Sequence, residues 1–183
     1  MTHPALSPLA YQLLTEALTT RRKVFLSYHH DNDQWYYNQF SQVFHATYEA
    51  VQDNSLDRAI DSDDPEYVMR RIRDNCITGS SCTIILCGSA TPWRKYVDWE
   101  IKATLDKQHG LIGVNLPSNP LTPQGLYIVP DRLHENIVSG YALWLQWSNL
   151  TLGPDALKLA VEHANAKDRG LIRNGRDLRQ RNG

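Results

Sequence analysis

No apolar run in this chain approaches the roughly 20 residues needed to cross a bilayer, and no two cysteines stand at Cys-x-x-Cys spacing. The first absence argues against a membrane-spanning protein, the second against a zinc ribbon or a thioredoxin-type redox centre. An excess of charge of either sign is also lacking, since 19 Lys and Arg against 20 Asp and Glu give a formal net charge of -1. Neither nucleic acid nor an anionic membrane is therefore expected as a partner. The sequence contains no glycine-rich nucleotide fingerprint, no internal repeat and no long low-complexity tract. Residues 1–20 show no basic start, no continuous apolar stretch and no small-residue cleavage pattern, so the cytoplasm is the expected compartment. Cys76, Cys82 and Cys87 are an odd count, two of them in one apolar run, and read as core residues.

What is present suits one soluble α/β domain: 183 residues, 42% of them apolar and 21% charged. Leu6, Leu9, Leu13, Leu14, Ala17 and Leu18 recur at helical spacing and predict an accessory helix over residues 1–20. Val24-Phe25-Leu26-Ser27-Tyr28 reads as the first central strand, followed by a dense polar loop, His29-His30-Asp31-Asn32-Asp33. Asp31, Asn32 or Asp33 is placed to cap a helix running through Trp35, Phe40, Val43, Phe44 and Tyr48. A weak second strand falls near residues 47–51. The turn-rich acidic stretch 52–64 then reads as a long loop.

Asp64 and Pro65 carry the marks of a helix start, and Cys82 to Gly88 those of a strand buried on both faces. Ser89 or Thr91 can cap the next helix, predicted over residues 93–105, with Gln108-His109-Gly110 as its stop. Further strands are expected at residues 111–116 and 141–147, separated by an irregular, proline-punctuated excursion over 117–130. A last helix follows Gly153-Pro154-Asp155. Alternating strands and helices favour a parallel sheet covered on both faces. The arginine-rich residues 167–183 form a basic tail, either a disordered end or a surface segment.

In open α/β sheets ligands bind at the carboxyl ends of the strands, so a helix leaving such an end overlooks the expected site. Glu100 on the helix over 93–105 is the carboxylate so placed. Trp93, seven residues before it, lies two turns away on nearly the same predicted face and can wall a pocket. Trp99 points elsewhere and reads as core. His29, His30, Asp31 and Asp33 lack a second group at ligand spacing, so no metal is expected.

The first strand with its acidic loop, the apolar strand ending in Gly88-Ser89, and the Trp93 to Glu100 stretch with its Trp-Glu-Ile core together resemble a TIR domain. More narrowly, they resemble the TIR-like proteins of the bacterial Thoeris antiphage system, over roughly residues 23–116. The resemblance implies a flavodoxin-like fold, a TIR-like domain over 21–166, and cleavage of NAD between nicotinamide and ribose, with NAD as substrate and no cofactor. It puts the catalytic role on Glu100, and it places Tyr28 and His29 against the nicotinamide ribose. Asp33 would orient a substrate hydroxyl or cap its helix, and Asp57 would contact substrate or a neighbouring subunit. The product would be a cyclic or otherwise modified ADP-ribose that activates a separate effector, with a phage-derived trigger and a homo-oligomer as further possible partners. Two other readings stand beside this one: a non-catalytic TIR-like interaction module, and a nucleoside deoxyribosyltransferase-like enzyme, which also breaks an N-glycosidic bond with a glutamate.

Overall fold

The computed structural model describes residues 7–9, 12, 15, 22–44, 49–50, 64–150 and 152–183. Five strands form one sheet: β1 Lys23–Ser27, β2 Glu49–Ala50, β3 Cys82–Cys87, β4 Gly110–Asn115 and β5 Leu143–Gln146. Their order is β2-β1-β3-β4-β5, and every pairing is parallel. This is the flavodoxin-like arrangement, and its order reverses between β1 and β3. The second strand is real but only two residues long, pairing with Lys23 and Val24.

Alternation along the strands explains why helices cover both faces. Val24 and Leu26 of β1, Ile84 and Leu86 of β3, and Ile112 and Val114 of β4 point to one side. There they meet Phe40 and Phe44 of α1, His30–Phe44, and Leu157 and Val161 of the last helix, Pro154–Asn165. On the other side Phe25 joins Val68 and Met69 of α2, Pro65–Arg71, together with Trp99 of α3, Lys95–Asp106. Ile85, Cys87 and Leu111 meet Val97, Ile101 and Leu105 of α3 and Leu133 of α4, Asp131–Val138. Burial pushes the Cys82 and Cys87 thiols far above their ordinary range, as inert core groups require.

Several boundaries differ from the sequence reading, each for a local reason. The polar residues after Tyr28 are not a loop: α1 starts at His30, and Asp33 lies inside its first turn with its amide donating to His29 O at 2.9 Å. Asp33 is therefore not the helix cap. Asp64 does cap as expected, accepting from Glu66 N at 3.0 Å, and α2 runs on into a wider π turn, Ile72–Ile77. Helix α3 starts at Lys95 rather than Trp93, because Thr91–Trp93 forms a separate 3-10 turn and neither Ser89 nor Thr91 caps the helix. At its other end Gln108, with φ of 57°, takes the left-handed position that a glycine usually fills, while Gly110 already belongs to β4. Trp147, expected in the last strand, starts the short helix α5, Trp147–Leu150, so Pro154–Asn165 is α6.

Helix α4 had no counterpart in the sequence reading. Residues 167–183 are a surface segment with three partly buried apolar residues: Leu171 and Ile172 pack beside α4, and Leu178 beside Trp99. In the region of the accessory helix, Pro8, Leu9, Gln12 and Thr15 have helical backbone. Apart from Ser7 the rest of residues 1–20, and residues 51–63 with Asp57, lie outside the described residues. Among those described, no helix is long and apolar enough to cross a membrane.

A Cβ at Gly113 of β4 would fall 2.7 Å from the Trp144 ring and 2.9 Å from Leu133. Gly113→Ala is expected to lower stability by about 1–3 kcal/mol, read as an earlier midpoint in urea unfolding at unchanged slope.

Candidate functional site

The strand order reverses between β1 and β3, and in doubly wound sheets ligands bind in the crevice outside the carboxyl ends of the strands at such a point. On the α1 side the backbone leaves β1 through Tyr28 and His29, both buried. The Tyr28 ring stacks on Tyr37 with centroids 4.6 Å apart and planes 15° apart, and its hydroxyl donates to Gln34 Oε1 at 3.1 Å. His29 is turned inward, with Nε2 3.9 Å from Asp31 Oδ2. It does not lie in water.

Asp33 is wholly buried beside these residues. Ser118 Oγ donates to its Oδ1 at 3.1 Å, and Thr91 Oγ1 lies 3.2 Å from its Oδ2. Its carboxylate thus joins α1 to the loops that leave β3 and β4. Gly88 backs the same carboxylate so closely that a Cβ there would overlap it. Burial pushes the Asp33 carboxyl above its ordinary range, against the opposing pull of Ser118, Thr91 and His29. Thr91 Oγ1 accepts from Gly88 N at 3.0 Å and also lies 3.1 Å from Leu86 O, so its one proton is shared between Leu86 O and Asp33 Oδ2.

Glu100 stands on the other side of the sheet. It is 3% exposed and lies one turn before Thr104, whose hydroxyl is 2.7 Å from that of Thr83 on β3. Because α3 runs back from the carboxyl end of β3, that earlier turn brings Glu100 nearer the crevice than Thr104. Ser27, the last residue of β1, shares the sheet face of Phe25; its buried Oγ has no hydrogen-bond partner among the described residues. The carboxyl ends of β1 and β3 thus carry buried Tyr28 and His29 on the α1 side, the buried Glu100 carboxylate on the α3 side, and an unmatched Ser27 hydroxyl at the end of β1.

Trp93 departs most from its expected place. Lying outside α3, it does not share a helical face with Glu100, and it is 42% exposed. The Arg179 guanidinium carbon sits 5.9 Å from its ring centroid, and its carbonyl accepts from Gly183 N at 3.0 Å. The structure thus sets Trp93 against the tail. That tail also closes the start of α3: Asn182 Oδ1 accepts from Lys95 N at 2.9 Å, and Trp99 Nε1 donates to Arg179 O at 2.8 Å. Asp98, in the same turn, accepts from Arg179 N at 2.9 Å and from Arg132 at 2.9 and 3.3 Å. Arg132 is wholly buried, and its other contacts, Asn174 and Asp177 O, are tail groups as well.

The family model for the TIR-like domain of the Thoeris protein ThsB matches residues 25–120, just over half of the chain. The chain belongs to that family. It is thus a TIR-type protein of antiphage defence. The ThsB-like match includes Tyr28, His29, Asp33, Asp57, Trp93 and Glu100, and stops before α4, β5, α6 and the tail. Comparison with curated proteins returns no match. Among the described residues no three or more of His, Cys, Asp and Glu gather as a metal site.

Sequence reasoning missed Ser27, Ser118 and the anchoring role of Thr91, whose signals are single hydroxyls at strand ends. It also missed Arg132, which falls in a stretch with no assigned element.

Two outcomes are expected. An Asp33 carboxyl raised in the fold holds its proton to higher pH than in the unfolded chain, so stability falls as pH rises from the ordinary carboxylate range through the folded value. Asp33→Asn removes this decline, measured as the wild-type minus variant difference in unfolding free energy between about pH 4 and 8. Arg132→Ala strands the buried Asp98 carboxylate and loosens the tail, costing about 3–5 kcal/mol in chemical denaturation.

Proposed function

We propose that the protein is a cytoplasmic enzyme that cleaves NAD between nicotinamide and ribose and releases a cyclic or otherwise modified ADP-ribose, which activates a separate effector. The observation that carries this reading is Glu100: a buried carboxylate on the helix that leaves β3 at the switch point, inside the span matched to the ThsB family. Nicotinamide leaves as a neutral base, taking the electron pair of the bond from ribose C1 to its ring nitrogen. No general acid is needed. The ribose left behind has oxocarbenium character, and a carboxylate in a water-poor setting stabilises that charge far better than water does. Attack at C1 by water, or by a nucleophile on the rest of the molecule with loss of a proton, completes the step as hydrolysis or as cyclisation.

In this reading Tyr28 and His29 line the nicotinamide end. Asp33 acts through the loops it ties together, because its carboxylate oxygens are already engaged by Thr91 and Ser118. Trp93 acts through the tail. Asp57 retains the substrate or subunit contact that the family resemblance implies. A phage-derived trigger and self-assembly belong to the same proposal.

Purified protein incubated with NAD is expected to release nicotinamide, followed by chromatography with mass detection of the remaining nucleotide. Glu100→Gln keeps the size of the side chain and removes its charge; release should fall by about a hundredfold or more, the scale of losing one aimed electrostatic group. A remaining mass equal to NAD minus nicotinamide marks cyclisation, and one water heavier marks hydrolysis. Equal release by both proteins would refute the role of Glu100. Cleavage of deoxynucleosides in place of NAD would favour the transferase-like reading.

A further inference from the structure

A cavity of about 210 Å3 opens at the carboxyl ends of β4 and β5, on the same edge as the crevice. Three side-chain amides line it, Asn115, Asn119 and Gln146, together with two aromatic rings, Tyr127 and Trp147. No charged side chain is among the described residues around it. Asn115 and Asn119 are each 4% exposed. Two amides buried at the edge of a sheet, where an apolar strand residue would ordinarily stand, call for a reason.

The hydrogen bonds among the amides run in one direction. Asn119 Nδ2 donates to Ile128 O at 3.1 Å and to Asn115 Oδ1 at 3.0 Å, and Asn115 Nδ2 donates to Gln146 Oε1 at 2.8 Å. The Ile128 carbonyl can only accept, so it fixes which end of the Asn119 amide faces it, and the rest of the relay follows. Two groups remain at its ends. Asn119 Oδ1 is buried with no hydrogen-bond partner among the described residues, and Gln146 Nε2 has protons that the relay does not use. An unmatched buried acceptor costs about 1–3 kcal/mol. The site thus offers one acceptor and one donor, held by neighbouring amides in a cavity that Tyr127 and Trp147 also line.

We propose that this cavity is the purine-base subsite of the nucleotide substrate and receives the adenine ring of NAD. The exocyclic amine of adenine donates to Asn119 Oδ1, a ring nitrogen accepts from Gln146 Nε2, and the ring lies against Tyr127 or Trp147. Paired donor and acceptor groups of amides are well suited to that edge of adenine, and aromatic side chains stack on bases. The volume suits a single base, being below the roughly 300–1,000 Å3 of pockets that hold whole ligands. Adenine is favoured over nicotinamide by position. The β4/β5 gap lies two inter-strand spacings, roughly 10 Å, from the β1/β3 gap, and Glu100 at the latter acts on the nicotinamide ribose. The inference rests on the NAD reading for the identity of its ligand.

The test is calorimetric titration of the full chain with ADP-ribose, which has no nicotinamide to lose, and with its hypoxanthine counterpart, which places an oxygen where Asn119 Oδ1 needs a donor. ADP-ribose is expected to bind about tenfold or more tightly than the hypoxanthine form, because the latter leaves buried polar groups unpaired. Gln146→Ala should weaken ADP-ribose by a similar factor and leave nicotinamide mononucleotide unchanged. Absence of ADP-ribose binding, equal affinity for the two purines, or equal loss of the mononucleotide would each overturn the subsite, and the purine comparison needs no variant to fold. Selective ADP-ribose binding without nicotinamide release from NAD would support the subsite and count against the Glu100 reading alone.

Discussion

The Asp33 carboxylate receives hydroxyls from Thr91 and Ser118, residues of loops that leave two different strands, while its own backbone belongs to the first turn of a helix on one face of the sheet. The carboxyl edge of this fold depends on that tie. Gly88 can pass close to the carboxylate only because it has no side chain, and the chain then turns through Thr91–Trp93 into α3. A displacement of Asp33 would be felt at once in the β3 exit, the β4 exit and the start of α1. Asp33 thus ties together the segments at the carboxyl ends of β1, β3 and β4.

A second buried carboxylate organises the opposite side. Asp98 sits two residues before Glu100 and is held by Arg132 from α4 and by the Arg179 amide from the tail. Buried ion pairs add little net stability compared with apolar replacements, yet losing one partner is costly. Such a pair therefore fixes geometry more than it stabilises the fold. Here it fixes the turn of α3 from which Glu100 projects, using chain segments that lie beyond the family-matched span.

The order of strands and helices was legible because it rests on periodicity: the runs at Val24, Cys82 and Leu111 are too apolar for anything but a covered parallel sheet. Asp64 with Pro65, and Gly153 with Pro154, announced their helices by backbone chemistry alone. Less legible were features that depend on contacts across long stretches of chain. Thr91 has the identity of a cap but spends its hydroxyl on Gly88, Leu86 and Asp33, and Trp93 has the spacing of a helix neighbour of Glu100 but sits in a 3-10 turn under the tail. The tail itself reads as solvated because it is rich in arginine. Its Leu171, Ile172 and Leu178, the Arg179 backbone groups that meet Trp99 and Asp98, and the Asn182 side-chain oxygen that meets Lys95 N carry no local signal. Glu100 was singled out by its position after a buried strand, whereas Asn115 and Asn119 went unnoticed because an isolated amide at the end of a strand resembles an ordinary turn residue.

The contacts that close the start of α3 join residues 80 or more positions apart, from Trp99 to Arg179, Asp98 to Arg179 and Lys95 to Asn182. During synthesis the ribosome therefore delivers the helix bearing Glu100 long before the residues that fasten it. A nascent chain can lay down β1, β3 and β4 and bury Glu100 against them while the first turn of its helix is still open. Translation thus supplies a built-in delay between the folding of the sheet and the completion of the site.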